Sequence, residues 1–512
     1  MKKILSVQQV READAYTIEH EPVSSVDLME RAGAALTDAL CGMVLPSDKL
    51  AVVAGRGNNG GDGLVMARRL LNRGYDVTVF LVGEGREGSA DFVVNLERLE
   101  GMGVSVNMLL DGFDPALFAG FHRIVDALFG SGLARPVTGL IGEVIEAMND
   151  SPADIVAIDM PSGLFADAYT DPSAGSIAQA AVTLKIEVPS LALLMPSCYR
   201  FTGDWQIVPI GLHPEYMEQV ESPYALFTFQ DARKLFRPKG RVSHKGSHGH
   251  ALLLAGSPGK GGAALLAAGA ALKSGAGLLT AAIPRCLESP FYTALPEAMH
   301  HLDPLNDLTA LTATLGSCSA IAMGPGLGTG KETADMVHEV MKKAEVPMVL
   351  DADALNTIAG SPEMIRLMPK HTILTPHPKE FERLAGETGN DFERLRMAVD
   401  FACEHKVVIV LKTAYPVVIT PDGLCVFNTL GNAGLAKGGS GDTLTGIILA
   451  LLSRGYHPWQ AARLGVYLHA RAASLVAMDT GLDAMMPTEV TLMLGTAFKE
   501  LECGKLLKNP GH

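Results

Sequence analysis

Short apolar runs that end in glycine-dense turns and open into helical stretches recur along this chain. This alternation restricts it to an α/β architecture. In the first instance Leu50, Ala51, Val52, Val53 and Ala54 lead into Gly-Arg-Gly-Asn-Asn-Gly-Gly-Asp-Gly at 55–63. Residues 62–73 then carry helical spacing through Leu64, Val65, Ala67, Leu70 and Leu71. Short apolar runs bounded by turns read as buried strands, and strands alternating with helices imply a mostly parallel, doubly wound sheet. Further strands are expected at 76–82, 104–110, 123–128, 155–159, 181–185, 191–195 and 205–210, with a helix near 88–101. Helices at about 6–19 and 24–41 precede them, and Ser24 or Ser25 can cap the second.

A polar stretch rich in Pro, Arg, Lys and Glu occupies 213–242 and is the most plausible domain junction. A second βα series begins at 251–255, with strands expected near 278–283, 319–323, 347–351, 372–375, 407–411 and 416–420. Two α/β domains follow, 1–220 and 225–508. The length of 512 residues allows a large core in each. The formal charge of −14 argues against nucleic acid or an anionic membrane as partner. The seven cysteines are scattered, lack metal-ligand spacing and read as buried thiols in a reducing, cytoplasmic setting. Gln8, Gln9, Arg11 and Glu12 cut short any leader-like apolar start. The apolar segment 262–284, interrupted by Lys273 and Ser274, reads as a buried helix and a strand rather than a membrane span.

Two glycine-rich turns carry most of the chemistry. At 436–446 the chain reads Ala-Lys-Gly-Gly-Ser-Gly-Asp-Thr-Leu-Thr-Gly before an apolar helix. A glycine turn at a helix start presents backbone N–H groups and the positive dipole end to an anion. Asp442 is out of place there unless it is a base that takes a proton from a hydroxyl while the N–H groups hold a phosphoryl group. In the first half, the 54–63 loop adds Asn58, Asn59 and Asp62 to a phosphate-cradling pattern. Asp126 and Asp159 close strands, and in open α/β sheets ligands sit at strand carboxyl ends. The second half has further strand-end features: Gly324-Pro-Gly-Leu-Gly328, Asp351 with Asp353, His377, and Lys412, which can meet a nucleotide phosphate.

Together these motifs resemble the bifunctional NAD(P)H-hydrate repair enzymes over almost the whole chain. The matching strings run in order: Gly-Asn-Asn-Gly-Gly-Asp-Gly, Asp-Ala-Leu-Phe-Gly-Ser-Gly-Leu, Asp-Met-Pro-Ser-Gly-Leu, Ser-His-Lys-Gly-Ser-His-Gly-His, Gly-Pro-Gly-Leu-Gly, Leu-Thr-Pro-His-Pro and Gly-Gly-Ser-Gly-Asp. The resemblance implies a Rossmann-like N-terminal epimerase of the R and S hydrates of NADH and NADPH. It implies a ribokinase-like C-terminal domain that dehydrates the S form with ADP, giving AMP and phosphate. By resemblance Asn58, Asn59, Gly60, Gly61, Asp62, Gly130, Ser131, Gly132, Leu133, Ala134, Arg135 and Pro136 bind the hydrate in the first domain, with Asp159 as proton-transfer group and ligand contact. Asn59, Asp126 and Ser162 hold a potassium ion. In the second domain Ala263, Gly326, His377 and Asp442 contact the hydrate, and Lys412, Thr413, Ala414, Tyr415, Pro416 and Gly441 contact the nucleotide, with Mg2+ at its phosphates. A homo-oligomer, with no nucleic-acid or membrane partner, completes the expectation.

The chain departs from the family pattern in places. A lysine usual near Val188 is absent, Lys185 being the nearest; Thr413 and Pro416 alter the nucleotide loop; Lys437 replaces a small residue. His244, His248 and His250 imitate a zinc tract but read as structural. The competing enzyme reading is a ribokinase-like vitamin or sugar kinase with an accessory domain, using the same Asp442. A third reading makes the first domain a nucleotide-sensing module, against which stand Asp159 and the complete Asn-Asn-Gly-Gly-Asp loop.

Overall fold

The computed structural model describes residues 1–306 and 308–506. The chain divides into two compact units, Lys3–Ser222 and a unit from Pro223 onward that also takes Met1–Lys2. That break falls within 213–242, but much of this stretch is regular: helix Pro214–Gln219, strand Tyr224–Leu226 and helix Phe229–Leu235. The expected end of the second domain at 508 lies outside the described residues.

The first unit is built on an all-parallel sheet of seven strands. Their order is Val106–Leu109, Asp76–Val82, Lys49–Ala54, Arg123–Ala127, Asp154–Ile158, Val182–Ile186 and Asp204–Val208. Side chains alternate across a strand. Leu50, Val52 and Ala54 therefore enter one core with Leu36, Leu64 and Phe92, while Ala51 and Val53 enter another with Phe118, Val144 and Met148. Both faces are covered, which is why these strands read as unbroken apolar runs. Chain order reverses between Lys49–Ala54 and Arg123–Ala127, and such a switch point opens a crevice at the strand carboxyl ends.

Three expectations need correction here. The helix after the first glycine turn spans Asn58–Asn72, so Gly60, Gly61 and Asp62 are helical rather than a turn before the helix. Their glycines serve close approach: a Cβ on Gly60 would lie 1.9 Å from the Gly55 carbonyl oxygen, and one on Gly63 would lie 2.5 Å from the Ala127 Cβ. The apolar run 191–195 is a 3₁₀ turn, Leu191–Leu194, capped behind Ser190, and not a strand. Asp126 sits inside strand Arg123–Ala127 rather than at its end.

In the second unit the sheet runs Tyr224–Leu226, Cys425–Phe427, Val417–Ile419, Val408–Leu411, Ile373–Leu374, Met348–Leu350, Ala320–Met323, His250–Leu254, Leu278–Ile283 and Met299–Leu302. From Val408–Leu411 to Met299–Leu302 neighbours are parallel, and Val417–Ile419 is antiparallel to both of its neighbours. The alanine-rich helix Gly261–Lys273 packs against helix Ser440–Ser453 at very short range. A Cβ on Gly446 would lie 2.0 Å from the Ala267 carbonyl oxygen. Small residues on both helices permit this approach, and it pins the Asp442 end of the second helix over the sheet.

All seven cysteines are free; Cys198, Cys318 and Cys425 are buried, but Cys286 and Cys503 are exposed, so the reading of all seven as buried thiols fails. His250 is tied by Nε2 to the Thr280 hydroxyl at 2.8 Å. No helix among the described residues is long and apolar enough to cross a membrane.

Candidate active sites

A cavity of about 730 Å³ opens in the first unit, lined among others by Asn58, Asn59, Asp62, Asp159 and Lys185. The loop after Arg123–Ala127 supplies Gly130, Ser131, Gly132, Leu133, Ala134 and Arg135 to the same cavity. Gly60, Gly61 and Pro136 are not in its lining; Gly61 faces the Met29 sulfur instead.

Asp159 follows strand Asp154–Ile158 with φ 64, a left-handed backbone that turns its carboxyl off the sheet. Its Oδ1 pairs with the Lys185 ammonium, and its Oδ2 accepts from the Ser131 N–H at 2.6 Å. Burial pushes its pKa up, but Lys185 and the Ser131 bonds more than offset this and hold it below the usual carboxylate range. Asp62, 8% exposed, has the opposite state: burial first, then the charges of Asp159, Asp14 and Asp91, push its pKa well above that range. Asp126 is fully buried and is not in the cavity lining. It accepts from the Ser162 N–H at 2.8 Å, the Ser162 hydroxyl at 2.6 Å and the Leu128 N–H at 3.2 Å. Burial outweighs these bonds and lifts its pKa to about 6, and no lysine or arginine pairs with it among the described residues. The buried Asn59 Nδ2 likewise has no partner. An unneutralised buried carboxylate bonded to a hydroxyl offers hard oxygen donors that fit a monovalent cation.

In the second unit four strand ends and a helix start supply the candidate residues. Helix Ser440–Ser453 starts behind Gly439 (φ 99), placing Gly441 and Asp442 in its first turn. Asp351 follows Met348–Leu350, is 1% exposed, and binds the Lys412 ammonium at 2.7 Å and the Thr445 hydroxyl at 2.8 Å. Lys412 follows Val408–Leu411 and also lies 3.7 Å from Glu380. A Cβ on Gly441 would be 3.2 Å from the Lys412 ammonium, so the anion turn and this lysine are neighbours. His377 caps helix Pro378–Ala385, its N–H donating to Glu380 at 2.8 Å. Gly326 (φ 60) packs on Ala263, while Asp353 accepts from the Gly328 N–H at 2.8 Å and pairs with Lys260 at 3.0 Å. Thr413 donates to the Tyr415 carbonyl at 2.8 Å, closing the loop that runs through Ala414 to Pro416. Lys437 is drawn away from the turn, donating to the Met485 carbonyl at 2.8 Å.

The electrostatics follow from how one lysine is shared. Burial raises the Asp351 pKa, but Lys412, Thr445 and Thr375 bring it below its usual range. Lys412 in turn is held above the usual lysine range by Asp351 and Glu380, against its own burial. Asp442 receives only part of that charge. Burial, then Asp351, push its pKa up to about 6, with Lys412 opposing. A carboxylate with a pKa near the working pH, inside an anion-binding turn, suits a general base.

Family comparison gives the same division. The model for the N-terminus of YjeF-related proteins matches residues 25–192, and the model for NAD(P)H-hydrate dehydratase matches 251–494. The bifunctional NAD(P)H-hydrate repair enzyme Nnr of Moorella thermoacetica is 36% identical, over 98% of this chain and 97% of its own. Those of Thermofilum pendens (34%, 96% and 95%) and Escherichia coli (33%, 91% and 88%) are also similar. The chain belongs to the bifunctional NAD(P)H-hydrate repair enzymes. Among solved structures, the ADP/ATP-dependent NAD(P)H-hydrate dehydratase of Bacillus subtilis is 35% identical, covering 54% of this chain and 98% of that one, with a TM-score of 0.49. Family membership places the vitamin-kinase reading behind the repair reading. It also makes the architecture Rossmann-like followed by ribokinase-like.

The lysine that the family pattern puts near Val188 is absent here, and another lysine pairs with the strand-end aspartate. Lys185, 1% exposed, reaches Asp159, whereas Val188 is buried in the following turn. Its signal in the sequence was a lone lysine in an apolar strand, which must find a counter-charge when buried. Sequence reasoning also passed over Asp14, which lines the first cavity, and Glu380.

Proposed function

We propose that residues 1–220 epimerise the R and S hydrates of NADH and NADPH, and that 225–508 dehydrate the S hydrate using ADP. What carries this reading is Asp442: a half-buried carboxylate with its pKa lifted to about 6, seated in a helix-start anion turn beside Lys412. Asp442 takes the proton of the hydrate's hydroxyl, whose oxygen attacks the terminal phosphoryl group of ADP, and AMP leaves. The N–H groups of the turn and Lys412 stabilise the phosphoryl charge as it moves. The phosphorylated oxygen then departs as phosphate while the ring nitrogen pushes in its electrons to form C=N, and the neighbouring ring carbon loses a proton to water, which restores the C=C double bond and returns the electron pair to nitrogen. Hydrate contacts are assigned to Ala263, Gly326 and His377, and nucleotide contacts to the loop from Lys412 to Pro416 and to Gly441. Glu380 and Asp353 are the carboxylates that would hold Mg2+ accompanying the nucleotide, and the ion would supply charge neutralisation at the phosphates.

In the first cavity Asp159, kept ionised by Lys185, is the proton-transfer group, and Asn58, Asp62 and the loop from Gly130 to Pro136 hold the hydrate. Asn59, Asp126 and Ser162 would hold K+, which supplies the positive charge that Asp126 lacks. The free cysteines suit a reducing cytoplasm.

The test follows reduced-nicotinamide absorbance in mixed R and S hydrates. Addition of ADP, or of ATP, should restore absorbance from both epimers in the full chain. A fragment of about 1–220 should interconvert the epimers without nucleotide, as judged by chiral chromatography. No absorbance with either nucleotide, together with ATP consumption on a vitamin alcohol, would return the kinase reading.

A further inference from the structure

Helix Val7–His20 turns Val7, Val10, Arg11, Asp14 and Ile18 toward the cavity that holds Asp159. These positions share one helical face. The helix lies before 25–192, the stretch matched by the N-terminal family model. Asp14 has no hydrogen-bond partner among the described residues, and neither does Asp62, which is 8% exposed on the same cavity. A carboxyl turned to a cavity without a partner costs stability, which makes it a candidate for chemistry. Asp159, by contrast, is held on both oxygens.

We propose that Asp14 is a second catalytic residue of this cavity, exchanging a proton with the hydrate from the helix while Asp159 does so from the sheet. This rests on the epimerase reading. One carboxyl gives its proton to the hydroxyl on the carbon beside the ring nitrogen. The C–O bond breaks, water leaves, and the nitrogen lone pair forms a C=N bond. Water then adds to the opposite face: its proton passes to the other carboxylate, the new C–O bond forms, and the C=N pair returns to nitrogen. The proton given by one group is recovered by the other, and nothing is oxidised. The reverse direction exchanges the roles, so the pair must share one proton.

The surroundings provide that state. Burial, then Asp159, with Glu187 adding and Lys185 opposing, push the Asp14 pKa up to about 6, while Asp159 stays below its usual range. Arg11 and Asp62 face the same cavity. Two carboxyls with pKa values driven apart are the pattern of an acid–base pair.

The full chain is assayed on pure R hydrate from about pH 5 to 8 by chiral chromatography. Wild-type kcat/KM should fall about tenfold per pH unit above about 6, as Asp14 loses its proton. Asp14→Asn should lower kcat roughly 10²–10⁴-fold, remove that limb, leave KM nearly unchanged, and spare ADP-dependent dehydration of pure S hydrate. Asp14→Glu should recover part of the rate. Epimerisation by Asp14→Asn within about threefold of wild type overturns the proposal. If that variant does not fold, a wild-type profile without the limb overturns it equally. A wild-type chain that never epimerises sinks the epimerase reading itself, a separate result.

Discussion

Both units set an aspartate at the carboxyl end of a parallel strand with a lysine in reach, yet they spend the lysine differently. In the first unit Lys185 pairs directly with Asp159 and keeps it ionised. In the second, Lys412 pairs with Asp351, so Asp442 is left with a pKa near 6. The same two side chains thus yield a locked carboxylate in one case and a titrating base in the other. The difference lies in geometry: Thr445 and Lys412 converge on Asp351, whereas Asp442 rides in the first turn of its helix.

The sharpest way to break this comparison is to neutralise each carboxylate. Asp442→Asn should lower dehydration roughly 10²–10⁴-fold and leave epimerisation intact. Asp159→Asn should do the reverse, abolishing R-to-S conversion while pure S hydrate is still dehydrated. Dehydration by Asp442→Asn at near wild-type rate would remove the base from the mechanism. Asn is the better probe at 159 because it tolerates left-handed backbone.

The next effect is on pH. As the proposed base Asp442 would work only when ionised, so dehydration should fall about tenfold per unit as pH drops below about 6. Lys412→Met removes a charge that lowers the Asp442 pKa, so this limb should move upward, and the KM for ADP should rise. Lys185→Met should move the acid limb of epimerisation upward in the same way, since burial alone raises Asp159. Limbs that stay in place in both variants would mean that the lysines do not set these charges.

The smallest effect concerns packing. Gly446→Ala puts a Cβ 2.0 Å from the Ala267 carbonyl oxygen. It should destabilise the second unit by about 1–3 kcal/mol, read as a lowered Tm, with epimerisation unaffected. An unchanged Tm would show that these helices can separate without cost.

Longer strand spans that are mostly apolar were legible in the sequence: Asp76–Val82 and Leu278–Ile283 lie where the pattern puts them. Tyr224–Leu226, Met299–Leu302 and Cys425–Phe427 escaped, being too short to show a period of two, whereas the equally short Val408–Leu411 and Val417–Ile419 were marked by their runs of Val and Ile. The run at 191–195 is apolar because it is buried, and burial alone does not distinguish a strand from a 3₁₀ turn. Glycine and aspartate at strand ends revealed both sites. The pairing partners of Lys185 and Glu380 were not legible, because these side chains reach their aspartate or lysine only after strands distant in sequence are laid side by side. Asp14 escaped for another reason: its helix carries no motif, only a stripe facing a cavity that the rest of the unit creates.

The left-handed backbone at Asp159 has a consequence for how this gene can drift. Only glycine, asparagine and aspartate settle at such a position with little strain. Glycine and asparagine are each one base change away from aspartate in the genetic code. The substitutions that this backbone tolerates best are therefore the ones that discard the carboxylate. Each of them also strips the buried Lys185 ammonium of its counter-charge, so loss of the carboxylate here should register in an assay of stability as well as in one of epimerisation.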